Sequence, residues 1–366
     1  MKSLGTAMFG SSLVSAYWNG AATYYRGIIK ALNQYGHRTT FYESDALDRQ
    51  QHRDIPDPSW ARVVVYSSVD ESAVRRCLDE ARSADVIIKA SGVGAFDDLL
   101  EAAVPDLRTT AMKIFWDVDA PATLDRLEAD GDDPFATLIG RYDLILTYGG
   151  GEPVARAYRR WGARRCAAIY NGVDLQTHHP TQRQQQYAAD LSFIGNRLPD
   201  REARVEEFFL RPAAMLPQRT FLIGGSGWHD KPMPTNVRRL AHVYTRDHNA
   251  VNCSATAVLN ISRQSMAAYG YSPATRVFEA AGAAACLISD DWEGIDHFFE
   301  PGKEILVARD GQEVAQWVES LTPEAARQIG NAALERVRAQ HTYQHRAAVL
   351  DKLLRGAAAT ASPVHA

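Results

Sequence analysis

The stretch YSPATRVFEAAGAAACLISDDWEG, residues 271–294, combines a helix start, a buried strand and unpaired charge, and its reading decides the fold. Ser272 followed by Pro273 predicts a helix start, because serine can cap free backbone N–H groups and proline at the first helical position forfeits no hydrogen bond. At about 100° per residue, Thr275, Arg276 and Glu279 fall on one face and Ala274, Val277, Phe278, Ala281 and Ala285 on the opposite one. The apolar face is core. The other joins a helix N-terminus, which attracts anions, to an arginine whose planar fork can clamp a phosphate. Glu279 lies one turn on, roughly 4 to 5 Å of rise beyond Arg276, where a carboxylate can take the hydroxyls of a ribose joined to that phosphate. A surface ion pair between Arg276 and Glu279 at i, i+3 accounts for the same two residues. The run AACLISDD that follows reads as a buried strand.

Working outward, 366 residues is long for one core and natural for two domains. Hydrophobic residues at 46% and charged ones at 23% are ordinary globular values, and a net charge of -4 with mixed signs leaves no broad basic field for nucleic acid. Any anion must therefore be bound locally. No apolar run approaches the ~18 residues of a transmembrane segment, and the opening MKSLGTAMFGSSLVSAYWNG has too short an apolar core for a signal peptide, so a soluble, cytoplasmic protein is expected. Cys77, Cys166, Cys253 and Cys286 are widely spaced, which predicts free buried thiols, with neither disulfides nor structural zinc.

From the N-terminus, strand and helix signals alternate. An apolar strand over 4–14 runs into the loop SAYWNGAA, a helix follows from about Ala22 to Tyr35, and HRTTFYES is the next strand, the opening of a doubly wound α/β fold. Asn19 and Gly20 sit at the carboxyl end of the first strand, where such sheets take ligands; a turn with no ligand explains them equally. Lys89, near the end of ADVIIKASG, reads either as a cleft-facing or as a snorkelling lysine. MKIFWDVDAP closes on Asp117 and Asp119, which read as a metal site, as a cleft acid contacting an acceptor hydroxyl, or as helix-capping acids. Gly149, Gly150 and Gly151 form either an anion nest or a tight turn ahead of the helix PVARAYRRWG. HHPTQRQQQ reads as a linker. The expected division is an N-terminal domain over 1–174, a second domain over 175–340, and a C-terminal helix within 341–366 that is able to pack back on the first domain and ends in a disordered tail.

The second half restarts the alternation. DLSFIGNR ends in Gly195, Asn196 and Arg197, and Arg201 follows before the helix EARVEEFFL, so a glycine turn with two arginines at a strand end is a second candidate phosphate site. The loop with Gly224, Gly225 and Gly227 is too weak a pattern to name a nucleotide. Asn260 and Arg263 stand at the end of the strand AVLNI.

The segments YNGVD, FIGNR and RVFEAAGAAACLISDDWEG together resemble GT-B glycosyltransferases of the family 4 type, with the CgeB-like group the nearest match. SAYWNGAATYYRGIIKALNQYGHRTTFYE and DHNAVNCSATAVLNISRQSMAAYGYSPATRVFEAAG resemble bacterial members of that group and extend the likeness over nearly the whole chain. The resemblance implies an α/β protein of two Rossmann-like domains facing across a cleft, the acceptor mainly on the first and the nucleotide sugar on the second. It implies glycosyl transfer from a nucleotide diphosphate sugar to a hydroxyl acceptor (saccharide, lipid or protein), without metal or cofactor, in bacterial polysaccharide or glycoconjugate biosynthesis. In the family pattern two glutamates bracket the start of the donor helix. Glu279 matches the second, which binds the donor ribose, whereas Tyr271 stands at the first, a departure that leaves the hold on the sugar and the stereochemical outcome open. Arg197 or Arg201 matches the diphosphate clamp and Arg276 adds to it, with Asn19, Gly20, Gly195, Tyr244, Asn260, Arg263, Ser272 and Thr275 as further donor-site candidates. Asp117 is the nearest match to the acid that faces the reacting centre, so Asp117 and Arg276 are the catalytic candidates. Rival readings are a sugar-nucleotide epimerase or phosphorylase on the same fold, and a non-catalytic nucleotide-sugar-binding or coat-assembly protein.

Overall fold

The computed structural model describes residues 3–17, 19–241 and 243–356. The tail expected to be disordered lies beyond Gly356, outside the described residues. The chain forms two compact units, Met1–Asn171 with Tyr343–Ala366, and Gly172–Thr342. It thus enters the second unit shortly before residue 174, inside YNGVD, and returns to the first for its last helix.

Unit 1 is built on seven strands: β1 Gly5–Gly10, β2 Arg38–Asp45, β3 Arg62–Ser67, β4 Val86–Ala90, β5 Met112–Asp117, β6 Leu144–Thr147 and β7 Cys166–Ala168. They pair in parallel in the order β3-β2-β1-β4-β5-β6-β7. Burial on both faces explains why the central strands read as nearly continuous apolar runs such as VIIKA, all five of whose residues are buried. The closing helix Tyr343–Leu354 packs on the helix Ala22–Gln34. Gly27 makes the approach possible, since a Cβ there would stand 2.1 Å from the Tyr343 ring. The same helix is tied down at Asp351, which accepts from His37 Nε2 at 2.7 Å; His37 Nδ1 receives the Leu4 N–H at 3.2 Å, so the ring carries its proton on Nε2.

Unit 2 repeats the plan with β8 Ala189–Ile194, β9 Phe221–Gly224, β10 Val237–Leu240, β11 Ala255–Asn260, β12 Leu287–Asp290 and β13 Leu306–Ala308, in the order β10-β9-β8-β11-β12-β13. Both sheets are parallel and reverse their winding beside their first strand, between β1 and β4 and between β8 and β11. Ligands of doubly wound sheets bind outside the carboxyl ends of the strands at such a reversal. The helix expected over EARVEEFFL is longer and irregular, running as Pro199–Val205, a π-helical turn Glu206–Leu210 and Arg211–Met215. π turns recur at functional sites.

Candidate functional site

At the winding reversal of unit 2, β8 ends at Ile194 and β11 at Asn260, and two arginines from two helices converge over the gap. Arg201 comes from the helix Pro199–Val205 and Arg276 from the helix Thr275–Gly282. Both meet at Gly195, where a Cβ would lie 2.9 Å from Arg201 Nη2 and 3.1 Å from Arg276 Nη2. Glycine at this strand end therefore leaves the room that the two guanidinium groups fill. Both groups also lie over the ring of the fully buried Phe193, Arg276 at 5.0 Å and Arg201 at 5.5 Å from its centre, a cation–π platform that orients them. Their protein partners are neutral. Arg201 donates to the Asn196 carbonyl at 2.5 Å, and Arg276 to the Ile194 carbonyl and, at 3.5 Å, to Asn260 Oδ1.

Among the described residues, neither Arg201 nor Arg276 makes an ion pair. The i, i+3 pair between Arg276 and Glu279 is not formed. Buried Arg201 Nε has no hydrogen-bond partner. Burial and the charge of Arg201 push Arg276 down to about 9, and burial also lowers Arg201. Two like charges held side by side, with Glu279, Asp290 and Asp200 acting on them only from beyond ion-pair distance, make a candidate anion site.

The neighbouring basic groups differ, because each has its own acid. Arg197 bonds Glu202 through Nε at 2.9 Å and Nη2 at 2.7 Å, and reaches Asp230 at 3.0 Å. Arg263 pairs with Asp200 at 2.5 Å, and Arg204 with buried Asp290 at 2.5 Å. Of the two arginines expected after β8, the structure turns Arg197 into a scaffold pair and brings Arg201 to the site. Asp290 organises the end of β11, accepting from the Ser262 N–H at 2.9 Å and from Asn260 Nδ2 at 3.4 Å, while Asn260 Nδ2 also reaches Ser289 at 3.0 Å.

The Thr275–Gly282 helix starts later than the Ser272-Pro273 signal predicts. Its N-cap position is Ala274, and Ser272, rather than capping, donates to the Gly270 carbonyl at 2.9 Å. The reason is the preceding turn: Gly270 has φ 69° and Tyr271 φ 45°, a conformation costly for a residue with a side chain, and the Tyr271 N–H bonds the Glu293 carbonyl at 2.6 Å. Tyr271 packs against Gly294, whose own Cβ would fall 2.4 Å from the ring. Thr275 is the first helical residue. Tyr244 takes the N-cap position of the helix Thr245–Ser254, half exposed beneath Arg246 at 5.2 Å.

Glu279 is nearly buried, at 9% exposure, and faces two histidines that the sequence reading left unassigned. His178 lies in the stretch read as a linker, and His248 on the helix Thr245–Ser254. Their side-chain nitrogens and a Glu279 oxygen all fall within 4.8 Å of one another, with His178 Nε2 at 3.7 Å from Glu279 Oε1. Residues 178, 248 and 279 meet only through the fold, so no local spacing could have announced them.

In unit 1, Asp117 is fully buried at the end of β5. One oxygen accepts from Ser91 Oγ at 2.8 Å and the Asp119 N–H at 2.9 Å, the other from Tyr158 Oη at 2.5 Å. Its hydrogen bonds brace the strand-to-helix turn and engage both oxygens, at a residue the sequence offered as a cleft acid that contacts an acceptor hydroxyl. Asn19 is spent on its own loop, accepting from Ser11 and donating to the Ser12 and Ser15 carbonyls, and Gly20 is exposed. Lys89 is fully buried between Asp97 at 2.6 Å and Glu101 at 3.0 Å. Gly150 and Gly151 have φ 82° and 49°, so the turn after β6 calls for glycine through its own backbone and, at Gly150, through the closeness of Val154, 2.0 Å from where a Cβ would stand.

A family model described as glycosyl transferase-like matches residues 201–352. No curated protein matches the chain. Among solved structures, the chain is similar to sucrose-phosphate synthase from Thermosynechococcus elongatus, with 14% identity and a TM-score of 0.72 over 97% of this chain and 99% of that one. It is similar to HepE from Anabaena, with 13% identity and a TM-score of 0.69 over 96% and 100%. BGT of phage T4 aligns with 12% identity and a TM-score of 0.62 over 98% and 100%. Likeness at these identities is likeness of fold, and that fold is GT-B, with two Rossmann-type α/β domains in one chain. No helix among the described residues is long and apolar enough to cross a membrane.

Proposed function

We propose that the protein is a glycosyltransferase, of the family 4 or CgeB-like kind, that moves a sugar from a nucleotide diphosphate sugar to a hydroxyl acceptor without a metal. The observation that carries the reading is the Arg201–Arg276 pair, unneutralised and converging on Gly195 at the winding reversal of unit 2. A diphosphate there supplies the missing counter-ion and an acceptor for Arg201 Nε. As the glycosyl bond breaks, negative charge grows on the leaving diphosphate, and the two guanidinium groups, fixed on Phe193, stabilise it with no reorganisation. Glu279 takes the ribose hydroxyls one turn along the helix. Arg197 and Arg263, paired with acids, hold the surrounding loops. Asp117 enters as a positioning residue.

HepE has been solved with UDP-glucose and the phage enzyme with its UDP-glucose substrate, so UDP and its sugars head the donors to try. The acceptor belongs to bacterial polysaccharide or glycoconjugate synthesis, and transfer takes place in the cytoplasm, where nucleotide sugars are made. Thermal-shift screening against UDP, GDP, dTDP and CMP and their sugars is expected to find a stabilising ligand, since ligands of the native state stabilise by mass action. Product analysis then decides the reaction. A transferase releases nucleoside diphosphate as acceptor is consumed, and an epimerase returns an altered donor without acceptor. Tyr271 in place of the first family glutamate favours one rival, a nucleotide-sugar-binding protein, which yields neither product.

A further inference from the structure

We propose that His178, His248 and Glu279 form a binding site for one divalent transition-metal ion of the zinc class, which shares Glu279 with the proposed ribose contact, so that metal and donor compete for that carboxylate, and which takes no part in glycosyl transfer. Two imidazoles and a carboxylate are a donor set that zinc takes, usually with water in the fourth position. The three ligand atoms lie within 4.8 Å of one another, and in a tetrahedral zinc site with ~2.0 Å bonds they would stand roughly 3.3 Å apart. Side-chain adjustment covers that difference.

Independent support comes from His178 itself. It is 1% exposed, yet neither ring nitrogen has a hydrogen-bond partner, and Glu279 Oε1 at 3.7 Å is beyond hydrogen-bonding reach. Buried polar atoms almost always find a partner, and a histidine with both nitrogens idle beside a second histidine and a carboxylate is explained by a ligand between them. The backbone around it is held as metal ligands require. The His178 N–H bonds the Asp174 carbonyl at 2.8 Å, and Asn249, next to His248 in sequence, donates to the Thr177 carbonyl at 2.8 Å and accepts from the His179 N–H at 3.3 Å. Gly282 lets the Glu279 helix approach, since a Cβ there would meet the His178 carbonyl at 3.1 Å. A ligating histidine commonly gives its other ring N–H to a carbonyl. Val243 O stands 3.3 Å from His248 Nε2, which leaves His248 Nδ1 for the metal.

The test uses the full chain without nucleotide, stripped with chelator and titrated calorimetrically with zinc, then with cobalt(II) while recording visible absorption. One equivalent is expected to bind, with cobalt giving the intense bands of a low-coordinate site, and zinc should raise Tm. His248→Ala, at the least buried of the two histidines, is expected to weaken zinc binding at least tenfold and to abolish the zinc-dependent rise in Tm; His178→Gln should do the same. Circular dichroism identifies a variant that has merely unfolded, and the other variant then carries the comparison. Absence of stoichiometric binding to the wild type, or binding unchanged in a folded variant, overturns the site. No nucleotide is present, so the outcome is independent of the donor reading.

Discussion

The carboxyl ends of β5 and β8 both carry charged residues singled out in the sequence, but only one of them is left electrically incomplete. At β5, Asp117 has its oxygens satisfied by Ser91, Asp119 and Tyr158 and is closed to solvent. At β8, Arg201 and Arg276 share a ring and a glycine but form no ion pair with a carboxylate, and burial together with mutual repulsion depresses Arg276. A satisfied buried charge marks scaffold. An unsatisfied pair of like charges marks the place of a ligand, because folding alone gives no return for bringing them together.

The strongest way to break this contrast is to remove one charge. Arg276→Ala is expected to lower kcat with a verified donor by about 10²–10³, the usual cost of losing one preorganised donor at a leaving group, with a smaller change in KM. Gly195→Val should cause part of the same loss with both charges intact, because its side chain would displace both guanidinium groups; full turnover in either variant removes the pair from the reaction. Glu279→Ala comes next, with nucleoside diphosphate affinity expected to fall about 10–100-fold by calorimetry, the worth of hydrogen bonds to a charged group. Unchanged affinity takes Glu279 out of the site. A smaller effect is the pH dependence. Protonated Arg276 holds the anion, so affinity should be level below about 9 and fall by up to about tenfold per pH unit above it. An affinity level to pH 10 would mean that Arg276 keeps its charge in the site despite its burial.

The smallest effect on function is expected at the β5 end. Asp117→Asn should cost about 1–3 kcal/mol of stability, read as a lower Tm, with donor KM unchanged. A large loss of kcat at constant Tm would return Asp117 to the reacting centre.

Much of the fold was legible because it is written in apolar runs. VIIKA, LSFI, AVLN and LISD are buried central strands, and the helices between them carry one polar face. Arg276 and Glu279 were legible for the same reason, through helical spacing and a strand to follow. What escaped depended on tertiary geometry. Ser272-Pro273 has the chemistry of a helix start, but the left-handed turn at Gly270 and Tyr271 consumes the serine and delays the helix to Thr275. Arg197 and Arg201 look equivalent in sequence; the position of Glu202 and Asp230 decides that the first is neutralised, and Asp230 arrives from another loop. His178 was hidden in a polar stretch that reads as a linker and finds His248 and Glu279 only in the folded unit.

The most direct measurement compares the affinity of the best nucleoside diphosphate with that of its parent nucleoside, in the wild type and in the Arg201→Ala/Arg276→Ala double variant. If the arginine pair holds the diphosphate, the wild type prefers the diphosphate by at least about tenfold and the double variant, still folded by circular dichroism, loses that preference. Equal affinity for the two ligands in the wild type, or a preference that survives in the double variant, would contradict it.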